Sequence, residues 1–216
     1  MAALRQIATR CVRDHLVVLG GFVTGPDENL PQNTATLLLL GPLEPGFWPH
    51  VTAQPEFDGA PDPLDRWSKR VIEALAKEWA GVALFPFGGP PHHPFHRWAL
   101  RSGRCRASPV RLLVHDDAGL MVSFRGALAL PGQIALPRPG PAPCDTCADK
   151  PCLSACPPRA LTAAGYDLPA CHGFLDSAAG SDCMGGGCLV RGACPQSQRY
   201  ARLPEQSAYH MRQFHR

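Results

Sequence analysis

The sequence has no long hydrophobic run and almost no excess of charge of either sign. Its most apolar stretches, Leu16–Val23 and 35–41, are far shorter than the about 20 residues that a membrane span requires. Lys and Arg number 21 against 18 Asp and Glu, which gives a net charge of +3 with neutral histidines. A protein that follows nucleic-acid phosphates needs a concentrated basic surface. We therefore expect neither a membrane nor a nucleic acid as a partner.

Two short motifs are also lacking. Residues 1–10 carry Arg5 and Arg10 where a secretory signal peptide needs an unbroken apolar run. Gly88 and Gly89 are followed by neither the Lys-Ser/Thr pair nor the helix pattern of a phosphate-binding loop. The expected location is therefore the cytoplasm. In that reducing compartment, clustered thiols more often bind metal or carry out redox chemistry than form structural disulfides.

Cysteine is what the sequence does contain, with ten among 216 residues, very unevenly placed. Cys11 and Cys105 have no cysteine neighbour at ligand spacing and are expected to be ordinary buried or semi-buried thiols. The other eight lie between Cys144 and Cys194. Five prolines within 131–143 are typical of an extended linker. The sequence therefore predicts an α/β module over 1–140 and a separate cysteine-rich module over 141–216.

The first module is predicted to be a mixed α/β (α+β) unit. Apolar residues make up 45% of the chain, and its 24 prolines and 21 glycines favour short elements joined by loops. The helical and alternating patterns predict helices at 4–15, 63–80 and 96–101, and strands at 16–23, 34–40, 82–87, 110–115 and 120–130. The last two strands flank a turn at 116–119 and are expected to pair as a hairpin. Residues 209–215 predict an amphipathic helix that packs back on the protein.

The eight clustered cysteines form a degenerate internal repeat. Its halves are Cys147-x4-Cys152-x3-Cys156-Pro157 and Cys183-x4-Cys188-x5-Cys194-Pro195. A cubane iron–sulfur cluster needs four converging thiolates, and in two-cluster ferredoxins the cysteine before the proline ligates the other cluster. A proline there suits the first position of a helix, which needs no N–H. The predicted ligand sets are Cys144, Cys147, Cys152 and Cys194 for one [4Fe-4S] cluster, and Cys156, Cys171, Cys183 and Cys188 for the other.

Three other interpretations of these cysteines stay open. A zinc site would use Cys144, Cys147 and two later thiols, although the two Cys-Pro endings favour iron–sulfur. A disulfide framework would form after oxidation. A decayed, metal-free repeat is the third, because four residues separate Cys147 from Cys152 where the usual bacterial run has a spacer of two.

The cysteine-rich third resembles the C-terminal dicluster part of epoxyqueuosine reductases and related ferredoxin-like proteins. The similarity consists of a Cys-Pro-ended run, the single intervening Cys171, a second Cys-Pro-ended run, and the apolar Leu161 after the first run. Residues 115–128, with Gly119 and Arg125, are weakly similar to a Gly-aromatic-Arg-Gly hairpin of that family and of cobalamin-processing (decyanating) flavin-reductase-like enzymes. The resemblance implies a nitroreductase-like module over 1–140 that holds a corrinoid or flavin and receives electrons from the clusters. A plain hairpin turn at Gly119 and a solvated strand charge at Arg125 stay equally open.

A loop rich in histidine and aromatic residues offers a second candidate site. His92, His93 and His96 lack the fixed backbone that would bring them onto one ion, so a metal role is not favoured. The aromatic residues expected to line an apolar pocket for a planar cofactor are Phe85, Phe87, Phe95 and Trp98.

These observations predict electron transfer through two oxygen-labile [4Fe-4S] clusters. The electrons would pass to a redox partner protein or to a cofactor on residues 1–140. Two alternatives remain: a corrinoid- or flavin-dependent reductase, and a metal-free or zinc-bound ferredoxin-like binding module. No catalytic residue is predicted, and whether the protein is an enzyme stays open.

Overall fold

The computed structural model describes residues 2–25 and 30–216. In these residues the helices are α1 (Ala2–Val12), α2 (Phe47–Thr52), α3 (Pro63–Glu78), α4 (Phe95–Arg101), α5 (Leu168–Leu175), α6 (Ser181–Gly186), α7 (Leu189–Ala193), α8 (Pro195–Tyr200) and α9 (Pro204–Phe214). The strands are β1 (Leu16–Val23), β2 (Thr36–Pro42), β3 (Val82–Leu84), β4 (Cys105–Ala107), β5 (Leu113–His115), β6 (Gly126–Leu130), β7 (Leu161–Thr162) and β8 (Gly165–Tyr166). The predicted α+β class is confirmed at this level. Within the described ranges, no helix is both long enough and apolar enough to cross a bilayer.

The chain divides into two compact units. Unit 1 comprises the described residues up to Arg104 together with Ser123–Pro139, and unit 2 comprises Cys105–Val122 and Gly140–Arg216. The prediction from sequence had one boundary, between 140 and 141. The structure differs by placing Cys105–Val122 with the cysteine-rich segment.

Unit 1 is built on an antiparallel sheet with the strand order β1-β2-β6-β3. All residues of β2 are buried, because the strand lies between β1 and β6 and its continuous run of leucines is covered on both faces. Helix α3 packs on β3 and β6. Its apolar residues recur at the helical period, so Trp67, Ile72 and Leu75 are all buried on one face.

The predicted hairpin between 110–115 and 120–130 is wrong. Strand β5 pairs with β4 in unit 2, whereas β6 pairs with β2 and β3 in unit 1. The turn after β5 does form, and His115 Nδ1 accepts hydrogen bonds from the backbone N–H groups of Asp117 and Ala118, both at 3.0 Å. The residues on either side of this turn form one isolated antiparallel β-bridge, between His115 and Gly119. The backbone of β6 is then used by the sheet of unit 1.

Hydrogen bonds explain why Cys105–Val122 belongs to unit 2. The backbone N–H of Leu120 donates to Ser197 Oγ at 2.8 Å, and Arg191 Nη1 donates to the Leu120 carbonyl at 2.5 Å. Gly119 lies beside these bonds with a φ of 57°, and a Cβ at this position would stand 2.4 Å from the backbone nitrogen of Ser197. Only glycine permits both this conformation and this close approach.

Gly119→Ala is therefore expected to destabilise unit 2. The strained φ alone costs about 1–3 kcal/mol, and the contact with Ser197 adds to that cost. Amide hydrogen exchange in α7 and α8 measures the loss. The matched control is Gly192→Ala, where an added Cβ meets open space. Equal exchange in the two variants would show that the close approach at Gly119 is unimportant.

Unit 2 has a small apolar core that includes cysteine. One cluster of buried residues in this unit comprises Val110, Val114, Leu120, Cys152, Leu161 and Val190. Partly buried residues packed against this core are Leu112, Cys144, Ala155, Cys156, Cys188 and Cys194. Helix α9 covers the predicted C-terminal helix but begins earlier, at Pro204, and packs on α6.

Candidate metal centres

Four cysteines of unit 2 lie around one cavity, and we call them set I. Cys144 lies in a turn after the proline-rich segment, and Cys147 follows in irregular structure. Cys152 lies in the 3₁₀ helix Pro151–Leu153, and Cys194 directly precedes α8. Burial raises the pKa of the Cys144 thiol, and the charges of Cys152, Cys194 and Cys147 raise it further. Burial also raises the pKa of Cys152, with Cys194 and Cys147 as the contributing charges. The four thiols of set I therefore stand close enough to interact electrostatically.

The cavity beside set I has a volume of about 450 Å³. Its walls combine the four cysteines with the apolar side chains of Val114 and Leu120, the hydroxyl residues Ser108 and Thr146, and the cations Lys150 and Arg199. A single tetrahedral zinc ion draws its sulfur ligands to about 2.3 Å and needs no space of this size. Set I thus places four sulfur donors beside a space larger than a single zinc ion needs.

The other four cysteines form set II. Cys171 lies in α5, Cys183 lies in α6, Cys188 directly precedes α7, and Cys156 lies in a turn. Burial raises the pKa of Cys183, and the charges of Cys188, Cys171 and Cys156 act in the same direction. Burial raises the pKa of Cys171 as well, with Cys188 and Cys156 as the neighbouring charges.

Each set contains cysteines from both cysteine runs of the sequence. Cys194 belongs to the second run but interacts with Cys144 and Cys152, and Cys156 belongs to the first run but interacts with Cys171 and Cys183. This division follows the two predicted ligand sets, while ligation itself stays a prediction. In residues 2–25 and 30–216, no three His, Cys, Asp or Glu side chains are grouped tightly enough to hold one metal ion.

The two Cys-Pro sequences differ in local structure. Helix α8 begins at Pro195, as expected for a proline at the first helical position. Pro157 instead enters a turn, in which the backbone N–H of Arg159 donates to the Cys156 carbonyl at 3.0 Å. The second proline, Pro158, explains the difference, because a residue that precedes proline is driven out of the helical region.

Several hydrogen bonds are directed at the sulfur atoms. Burial is the main cause of the raised pKa values of Cys183 and Cys152. Hydrogen bonds from the backbone N–H of Leu189 to Cys183 and from that of Leu153 to Cys152 lower these pKa values in part. The Tyr166 hydroxyl donates to Cys171 Sγ at 3.3 Å. Such donors stabilise thiolates that bind metal.

Arg191 is a site residue that the sequence did not reveal. Burial lowers its pKa, while the neighbouring Cys188 and Tyr166 raise it, so its guanidinium lies near Tyr166 and near Cys188 of set II. The same side chain donates to the Leu120 carbonyl. Nothing in the spacing of the cysteines marks this arginine, since its position depends on how α7 packs against Cys105–Val122.

The remaining candidates lie apart from these sets along the chain. Cys11 and Cys105 are both buried, as predicted, and burial raises the pKa of Cys11 to about 12. Gly119 lies in unit 2 whereas Arg125 lies in unit 1, with its Nη1 3.5 Å from Asp65 Oδ1. The two residues named for the weak hairpin similarity thus belong to different units.

The aromatic residues of unit 1 mainly serve its core. Phe95 and Trp98 are buried, with ring centroids 5.0 Å apart, and His93 stacks on Trp98. The partly buried rings of Phe85 and Phe87 lie 5.1 Å apart. A planar cofactor at these rings stays a prediction.

No protein-family model, curated protein or solved structure matches this chain. A function must therefore be argued from the side chains themselves. The side chains best suited to a chemical function are the two sets of four cysteines in unit 2.

Proposed function

We propose that this protein is an electron carrier whose unit 2 holds two [4Fe-4S] clusters. The observation that supports the proposal is the division of eight cysteines into two groups of four interacting thiols, each drawn from both cysteine runs. Iron–sulfur clusters of this kind take four thiolates each and supply one-electron transfer when bound.

Set I has the features that such a group requires. Four thiols line a cavity of about 450 Å³, and Val114 and Leu120 supply apolar walls that limit water. The backbone N–H of Leu153 is already directed at Cys152. These features support the proposal that set I holds one of the two clusters.

Set II differs from set I in its electrostatic surroundings. The Arg191 guanidinium lies near Cys188, and the Tyr166 hydroxyl donates to Cys171. A positive charge and a hydrogen-bond donor stabilise the more negative, reduced state of a neighbouring group. We propose that set II has the higher reduction potential of the two.

Arg191→Met tests the role assigned to this side chain. It removes the charge near Cys188 and leaves the Leu120 carbonyl without its hydrogen bond. We expect the free energy of unfolding of unit 2 to fall by about 2 kcal/mol, since bonds from charged donors contribute about that much, and the potential of set II to fall. Anaerobic urea unfolding and a redox titration measure the two effects. The exposed Arg212→Met is the control, and equal behaviour of the two variants would contradict the assignment.

The proposal also covers the fold and the family. Unit 2 would be a ferredoxin-like dicluster module similar to the C-terminal part of epoxyqueuosine reductases, and unit 1 a reduced nitroreductase-like module. The order of the cysteines supports the first part, as does the burial of Leu161 in the core of unit 2. Oxygen-labile clusters are consistent with a reducing cytoplasm as the proposed location.

The electron acceptor is proposed to be a partner protein or a small cofactor on unit 1. Anaerobic mixing of the reduced protein with hydroxocobalamin, FMN or FAD distinguishes a carrier that reduces a partner protein from a reductase that binds a small cofactor. A carrier leaves the absorption spectra of these cofactors as they are in the absence of protein, apart from slow reduction. A reductase binds one of them stoichiometrically and shifts its spectrum.

A reductive titration tests the carrier function directly. The anaerobic, iron-loaded protein should take up about two electrons per chain, one for each cluster. It should return them to a one-electron acceptor such as a viologen of higher potential. A metal-containing sample that takes up no electrons would overturn the proposal.

A further inference from the structure

Ser108 lies outside the cysteine-rich segment yet belongs to the wall of the cavity at set I. It follows β4, and its backbone is fully used: its N–H donates to the Leu112 carbonyl at 2.9 Å, and its carbonyl accepts from the N–H of Arg111 at 2.9 Å. The turn between β4 and β5 thus fixes the position of Ser108 independently of its side chain.

The hydroxyl of Ser108 is buried and unpaired. The residue is only 6% exposed, and within the described part of the chain its Oγ has no hydrogen-bond partner. A buried hydroxyl without a partner is costly and therefore uncommon. Ser108 is among the residues that line the cavity shared by Cys144, Cys147, Cys152 and Cys194, and its hydroxyl has almost no accessible surface, so a bond to a group held in that cavity requires the Ser108 side chain to rotate toward it.

We propose that the Ser108 hydroxyl donates a hydrogen bond to a sulfur atom of the cluster held by set I and thereby raises its reduction potential. This inference rests on the proposed function. The hydroxyl has one proton to donate, and both thiolate and sulfide sulfur accept hydrogen bonds. The bond is stronger when the acceptor carries more negative charge, so it favours the reduced state.

Thr146 shows that a hydroxyl residue in the cavity wall is not always available to donate a hydrogen bond to a group in the cavity. It is the other hydroxyl residue among the described residues that line the cavity. Its Oγ1 is directed to the Pro143 carbonyl, at 3.3 Å, and the residue is exposed. Of the two hydroxyls, that of Ser108 is the one that is both buried and uncommitted. Thr146 is therefore a suitable control in the same cavity.

The test compares Ser108→Ala, Ser108→Thr and Thr146→Val in the iron-loaded, full-length protein. The couple of set I is first identified as the one missing from a Cys152→Ala variant. Ser108→Ala should disfavour reduction of that couple by about three- to tenfold, which is a fall of about 30–60 mV for a one-electron couple. Ser108→Thr should retain most of the original potential, and Thr146→Val should lower it by much less than Ser108→Ala does. The couple of set II should stay constant in all three variants.

Two measurements keep this inference separate from the proposed function. Iron analysis of each variant shows whether both clusters are bound, and the electron paramagnetic resonance spectrum of the reduced protein shows whether the environment of set I has changed. An iron-loaded Ser108→Ala protein with an unchanged potential would overturn the role of Ser108 and leave the carrier proposal intact. An equal fall in Thr146→Val would also overturn it. Absence of clusters from the unsubstituted protein would instead overturn the proposed function.

Discussion

Combining Cys147→Ala with Cys194→Ala is expected to remove no more iron than either substitution alone. Both residues belong to set I, so the loss of one cluster leaves about four of about eight irons in each single variant and in the double variant. The two positions lie in different cysteine runs of the sequence. Their non-additivity would therefore reflect the arrangement in space.

The matched comparison is Cys183→Ala combined with Cys194→Ala. These two residues share one run of the sequence, but the first belongs to set II and the second to set I. We expect this double variant to lose nearly all of its iron. If each run instead bound its own cluster, the two double variants would exchange results. Cys11→Ala, in unit 1, should keep the full iron content.

Removal of iron is expected to unfold unit 2 and leave unit 1 folded. One buried cluster of unit 2 has six members, one of which is Cys152, and four of the partly buried residues around it are also cysteines. With five cysteines in and around this cluster, its packing is tied to metal binding, because binding of a structural metal group is coupled to folding. Unit 1 has its own buried sheet and the apolar face of α3.

Hydrogen exchange under anoxia, with and without an iron chelator, measures this effect. Amides in α6 and α8 should exchange about a hundredfold faster or more after chelation, which corresponds to about 2.7 kcal/mol. Amides of β2 should keep their rate and serve as the internal control. Equal acceleration in β2, or no acceleration in α6 and α8, would contradict the dependence of unit 2 on metal.

The elements that the sequence predicted well are those determined by local patterns. The strand at 16–23 was predicted with the bounds that β1 has, because a short apolar run ends at clear turn residues. Helix α3 was predicted from the period of its apolar residues. Helix α2, by contrast, was missed, since it is only six residues long and contains Pro49.

The pairing of strands and the surroundings of single polar residues depend on distant parts of the chain. Neither was predictable from local sequence patterns. The alternation in 120–130 indicates a strand, but its choice of partner depends on β2 and β3. Arg191 and Ser108 are single polar residues, the first partly buried near Cys188 and the second buried in the wall of the cavity at set I, and no local pattern marks them. The spacing of the cysteines and the two prolines predicts how eight sulfurs are shared between two clusters, and this sharing stays a prediction.

Iron and acid-labile sulfide, measured per chain in protein purified under strict anoxia, test the central claim most directly. We predict a brown protein with about eight of each. A colourless protein with one or two zinc ions and no sulfide, unchanged after reconstitution with ferrous iron and sulfide, would contradict the account.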